Sequence, residues 1–204
     1  MGDIFSIVNQ KGGVGKTTTC INLSAALAKA KRRVLLIDLD PQSNATKGCG
    51  TDLREGRFTV NDILLKRCNF EDVVLHLDDF SFDILPSTPQ LTEAEVLLLS
   101  SDHKEFTLKN VISDITSRYD YLIIDCPPSL NILTVNALTA SSGIIIPVQC
   151  EYFALQGLSE LVSTIDMIKK SSNERIEIKG IIRTMFDSRN NLSNDVSEQL
   201  VKYF

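Results

Sequence analysis

Two lysines, three glycines and two threonines crowd into the nonapeptide Gln10-Lys11-Gly12-Gly13-Val14-Gly15-Lys16-Thr17-Thr18. Those residue types in that order suit one task, the holding of a phosphate chain. Glycine lacks the Cβ that keeps a ligand off the backbone, so peptide N–H groups can converge on one point. Lys16 brings a mobile positive charge to that point, and Thr17 brings a hydroxyl suited to a divalent cation. An apolar run, Ile4, Phe5, Ile7 and Val8, precedes the glycines, and a breaker-free segment from Thr17 to Lys29 follows them. That order predicts a strand, a phosphate-binding turn and a helix whose N-terminal N–H groups and dipole face the same spot.

The spacing departs from the usual P-loop pattern, G-x-x-x-x-G-K-[ST]. Gln10 stands where the first glycine would be, and a second lysine, Lys11, follows it. Lys11 places further positive charge at the mouth of the turn, where negative charge gathers during phosphoryl transfer. Three carboxylates complete the set. Asp38 ends the apolar run Arg33-Val34-Leu35-Leu36-Ile37, and Asp40-Pro41-Gln42 follows at once. Asp125 ends Tyr119-Asp120-Tyr121-Leu122-Ile123-Ile124, ahead of Cys126-Pro127-Pro128-Ser129. An aspartate closing a buried strand in a P-loop protein is the Walker-B arrangement, whose carboxylate holds Mg²⁺, usually through water. Ligands of doubly wound sheets bind beyond the carboxyl ends of the strands, so Asp38, Asp40 and Asp125 are expected on the edge that carries the glycine turn.

The elements that position these residues can be read from periodicity. Further strands are expected at Phe82-Asp83-Ile84-Leu85, stopped by Pro86, at Gly143 to Val148, and at Ile176 to Thr184. Helices are expected after Thr59, over Thr92 to Leu99, Glu105 to Ser117, Asn131 to Ala140 and Leu155 to Lys169. Leu192, Val196 and Leu200 mark a last helix that stops at Phe204. Residues 72–77 fit a brief helix or a strand, and His76 reads as packing or surface. Strand and helix alternate with no repeat or linker, so the expectation is α/β: a doubly wound, mostly parallel sheet with helices on both faces, forming one domain over residues 1–204.

Composition narrows the function classes. Hydrophobic residues make up 43% of the 204 and charged residues 23%, an ordinary balance for a globular chain that buries a core. No apolar run has the length of a membrane span, and no basic, apolar leader opens the sequence. The five cysteines are odd in number and never spaced C-x-x-C, which argues against a disulfide framework and against zinc or iron–sulfur. A net charge of −5 gives no global nucleic-acid signature, so any DNA contact must be local.

The lysine-bearing loop, Asp38-Leu39-Asp40-Pro41-Gln42, Ile124-Asp125-Cys126-Pro127-Pro128-Ser129, Pro147-Val148-Gln149-Cys150-Glu151-Tyr152 and Thr184-Met185-Phe186-Asp187-Ser188-Arg189 together resemble the ParA/Soj partitioning ATPases, of the deviant Walker A class. The resemblance implies an ATP-sandwich homodimer, a cytoplasmic life on the nucleoid, and ATP and Mg²⁺ as cofactors. It implies that Gly12, Gly13, Val14, Gly15 and Thr18 wrap the phosphates and that Lys16 pairs with the β- and γ-phosphates. Lys11 would reach the partner protomer's nucleotide. By the same resemblance Thr17 coordinates Mg²⁺, Asp125 holds it through water, Asp38 supports the metal shell, and Asp40 orients the attacking water. The family binds DNA without sequence preference, which points to Arg189, then Lys169, Lys170, Arg175 and Lys179, and answers to a ParB-like partner. Its members also continue past the position equivalent to residue 204, with further sheet, helix and part of the adenine pocket.

Two rivals follow from the same motifs. A MinD-like positioning ATPase wants an amphipathic basic tail, which Gln199-Leu200-Val201-Lys202-Tyr203-Phe204 is too short to supply. A reductase like the nitrogenase iron protein wants a suitably spaced cysteine pair.

Overall fold

β1 (Asp3–Ile7) runs through the middle of a seven-stranded sheet, in a computed structural model that describes residues 2–203. Around it lie β2 (Val34–Asp38), β3 (Leu75–Leu77), β4 (Phe82–Leu85), β5 (Tyr121–Asp125), β6 (Gly143–Gln149) and β7 (Glu177–Thr184), in the order β3-β4-β2-β5-β1-β6-β7. All described pairings are parallel except β3 with β4. The doubly wound, mostly parallel architecture expected from the sequence is therefore present. The antiparallel edge strand answers the open reading at residues 72–77, where a four-residue helix, α4 (Phe70–Val73), passes directly into β3.

The central strands are apolar without a break because both their faces are covered. Along β2, Val34 and Leu36 pack on one face, with Cys20 and Ala28 of α1 (Lys16–Lys29). Leu35 and Ile37 pack on the other, with Leu108 of α6 (Thr107–Ile112) and Leu133 and Ala137 of α7 (Ile132–Ala140). Of the remaining helices, α5 (Leu91–Leu98), α8 (Ala154–Ser171) and α9 (Asn191–Tyr203) add Leu91, Leu158, Leu161 and Val196 to that second face. The short helices α2 (Asn44–Gly48) and α3 (Val60–Leu64) follow β2. Thr59 starts α3 as expected, its N–H bonded to Asp62 Oδ2 at 2.9 Å. Phe204, where the sequence reading stops the last helix, lies outside the described residues.

One expected helix is broken. Residues 105–117 divide into a 3₁₀ turn at Lys104–Phe106, then α6, then turns. The hydroxyls of Ser113 and Thr116 donate to the carbonyls of Asn110 and Ser113, at 2.9 and 3.0 Å. Such local side-chain bonds compete with the helical ladder and end it early.

Asn136 holds this broken segment in place from α7. Its Oδ1 accepts from Leu108 N–H at 3.0 Å, and its Nδ2 donates to the carbonyls of Lys104 and Ile132, each at 2.9 Å. Asn136→Ala strands the buried Leu108 N–H, while the Lys104 carbonyl keeps its bonds from Thr107, so urea unfolding should show a loss of about 1 to 3 kcal/mol.

Connections out of β1 run toward one edge of the sheet and those out of β5 toward the other. Strand order thus reverses between these two central neighbours, where α/β sheets open a ligand crevice.

Candidate active site

The turn from β1 into α1 borders that crevice. Gly13 and Gly15 have φ of 75° and 89°, the left-handed region that a side chain disfavours. No side chain caps α1 and no acidic residue occupies its first turn. The N–H groups at its start are therefore left for an anion, on the positive end of a 14-residue helix. Behind the turn, Thr184 at the end of β7 donates its hydroxyl to the Val14 carbonyl at 2.9 Å. Its methyl lies 3.4 Å from where a Cβ on Gly15 would be.

Gly12, Gly13, Gly15, Lys16, Thr17, Thr18 and Asp40 line one cleft of about 530 Å³. Val14 is buried and serves as the anchor to β7 rather than as lining. Lys16 is 7% exposed, and its Nζ donates to the Lys11 carbonyl at 3.0 Å. Burial lowers its pKa, while the charges of Asp125, Cys126 and Asp40 oppose that shift. Lys11 does not line the cleft: it is exposed at the rim and ion-paired with Glu151 of the same chain.

Strand register brings the buried carboxylates together. Asp125 on β5 is the pairing partner of both Asp38 on β2 and Ile7 on β1. Both aspartates are fully buried. Burial, then the Asp38 charge, pushes the Asp125 carboxyl up to about 7, although Thr17 and Cys20 favour its ionised form. Asp38 rises to about 6 through burial, against the hydrogen bonds it accepts from Thr46 and Asp40. The Cys20 thiol approaches Asp125 Oδ1 at 3.4 Å, and Oδ2 has no hydrogen-bond partner.

That orphaned oxygen is the observation against which a cation can be tested. An unpaired carboxylate oxygen under a hydroxyl-lined phosphate cleft suits Mg²⁺, a hard cation that takes oxygen ligands and keeps several waters. Among the described residues no three His, Cys, Asp or Glu side chains form a closed cage. Thr17, which lines the cleft, and the buried Asp125 are the side-chain oxygens that such a site would draw on.

A model of the AAA domain family matches residues 2–178. Over all 204 residues the chain is 48% identical to the sporulation initiation inhibitor protein Soj of Bacillus subtilis, and spans 81% of it. The chain belongs to the ParA/Soj family of partitioning ATPases. A second relative, the chromosome partitioning protein ParA of Myxococcus xanthus, is also 48% identical, matching the whole chain and 72% of its own length. Among solved structures, cobyrinic acid a,c-diamide synthase of Mycobacterium smegmatis, with a bound ATP analogue and magnesium, superposes with a TM-score of 0.94 at 36% identity. That match covers the whole chain and 83% of the other.

Set on the ParA/Soj scaffold, Arg189 stands apart from the cleft. It lies between β7 and α9, highly exposed, its guanidinium forked onto Asp187 at 2.9 and 2.8 Å. The cleft also includes Gln42, Asn44, Gly48 and Pro128, which sequence reasoning did not single out as site residues. Gln42 and Pro128 sit inside the Asp40 and Asp125 motifs and Asn44 follows the first of these closely; Gly48 ends a five-residue helix with too little periodicity to place it. No helix among the described residues is long and apolar enough to cross a membrane.

Proposed function

We propose that this chain, as one P-loop domain, is an Mg²⁺-dependent ATPase that dimerises on ATP and binds DNA without sequence preference. A ParB-like partner would stimulate its turnover, and it would work in the cytoplasm on the nucleoid. The reading is supported above all by the convergence on one cleft of an uncapped helix start, a buried lysine, and Asp40 beside two buried strand-end aspartates. The named relatives support the partitioning role.

On this reading the N–H groups of Gly12 to Thr18 wrap the phosphates, and Lys16 turns from the Lys11 carbonyl to the β- and γ-oxygens. Asp40 accepts a hydrogen bond from the attacking water and aligns it with the γ-phosphorus, where a P–O bond forms as the bond to the ADP oxygen breaks. Bound Mg²⁺ would supply charge neutralisation on the phosphate oxygens, with Thr17 as ligand, Asp125 behind a water and Asp38 supporting that shell. Lys11 would leave Glu151 for the partner protomer's nucleotide. A cation supplied in this way contributes about 10³ to 10⁵ in rate in related phosphoryl transfers. Arg189 is the proposed DNA contact, and reaching a phosphate requires its release from Asp187; Lys169, Lys170, Arg175 and Lys179, toward the opposite end of β7, are weaker candidates.

Light scattering during size exclusion tests the reading. With Mg-ATP the mass should double and with ADP it should stay that of one chain. A single mass under both nucleotides would overturn the dimer.

A further inference from the structure

Four buried polar residues behind the cleft form one closed set of hydrogen bonds. Thr46, on α2, sends both its backbone N–H and its hydroxyl to Asp38 Oδ2, at 2.8 and 2.7 Å. The same hydroxyl accepts the N–H of Ser87 at 2.9 Å. Donor and acceptor capacity are both engaged, so the Thr46 side chain has one orientation. Asp38 Oδ1 accepts the Asp40 N–H at 3.1 Å, and the Ser87 hydroxyl donates to the Asp40 carbonyl at 2.8 Å. Exposure across Asp38, Asp40, Thr46 and Ser87 runs from 0 to 7%, so water does not substitute for these bonds.

Asp40 is the residue on which the set converges. Its N–H is held by Asp38, and its carbonyl accepts both the Ser87 hydroxyl and the Ser43 N–H, each at 2.8 Å, so the peptide on each side is pinned. Its Oδ1 accepts the Gln42 N–H at 2.9 Å, which fixes the plane of the carboxylate. Asp40 itself lines the cleft. Thr46 joins the two holders, because a single hydroxyl bridges Asp38 on β2 to Ser87 in the segment after β4.

We infer that Thr46 and Ser87 are positioning residues for the ATPase reaction, which set the Asp40 carboxylate without touching the nucleotide. The inference rests on the proposed ATPase reading. Misplacing a reacting group by about 1 Å can cost on the order of 10²-fold in rate. The phosphate-loop N–H groups and Lys16 stand outside this set, so ATP affinity measured without Mg²⁺, whose shell Asp38 would support, should be spared.

The test is steady-state turnover with Mg-ATP and ATP affinity without Mg²⁺ for the 204-residue chain, with thermal unfolding as a check on folding. Thr46→Val keeps the shape and removes the hydroxyl. It should lower kcat about 10- to 100-fold with ATP affinity within about threefold, the scale set by misplacement alone. Thr46→Ser restores the hydroxyl and should return kcat to within about threefold of the unsubstituted chain, since the same bonds re-form. Should Thr46→Val not fold, Ser87→Ala removes one of the two donors on the Asp40 carbonyl, leaving the Ser43 N–H, and should give the same split at the lower end of that range. Equal kcat in folded Thr46→Val or Ser87→Ala, or equal losses in kcat and affinity, would overturn the inference. No turnover in the unsubstituted chain would instead overturn the ATPase reading, and this inference with it.

Discussion

Lys16→Ala is expected to weaken Mg-ATP binding at least about 100-fold in titration calorimetry, while the chain still folds. A charge-assisted hydrogen bond contributes about 1.5 to 3 kcal/mol, and each 1.4 kcal/mol is tenfold in affinity. The upper end of that range applies because the ammonium is nearly dry, 7% exposed, and so interacts with a phosphate in a medium that screens poorly. Its removal also leaves Asp125 and Asp40 without their nearest cation, and two carboxylates then face an incoming polyanion. The helix-start N–H groups survive the substitution, which is why weak residual binding is compatible with the reading. Retained tight binding would remove the phosphate-cradle assignment, and with it everything proposed for the cleft.

Asp40→Ala should move two measurements in opposite directions. Turnover should drop about 10² to 10⁴-fold, the usual contribution of a side chain that handles the proton of the attacking group. ATP affinity should hold or rise, because a negative charge leaves the neighbourhood of the phosphates. The substituted protein should then stay dimeric for as long as ATP is present. Unchanged turnover would strip Asp40 of its role; a parallel loss of affinity would recast it as a binding residue.

Much of this geometry was legible in the residues because it depends on local rules. Gly13 and Gly15 had to be glycine for the turn, and Lys16 and Thr17 open a helix that nothing caps. Asp38 and Asp125 end apolar strands, and parallel register does the rest by setting them side by side. What stayed hidden depends on contacts between distant segments. Ser87 lies 41 residues from Thr46, and no periodicity signals that one hydroxyl bridges them. Lys11 was visible as an extra charge, but its engagement with Glu151, 140 residues away, was not. The break in residues 105–117 was hidden for another reason. Apolar spacing favoured a continuous helix, and the hydroxyls of Ser113 and Thr116 outweighed it locally.

The bond from Thr184 to the Val14 carbonyl means that the glycine turn leans on the outermost parallel strand. The family model's match ends at residue 178, short of this prop. A shortened version cut at that point would keep every signature motif around the phosphates yet lose the strut behind them. The shape of the binding turn therefore depends on the β1-β6-β7 side of the sheet as well as on its own residues, and motif content alone would overstate what such a fragment can do.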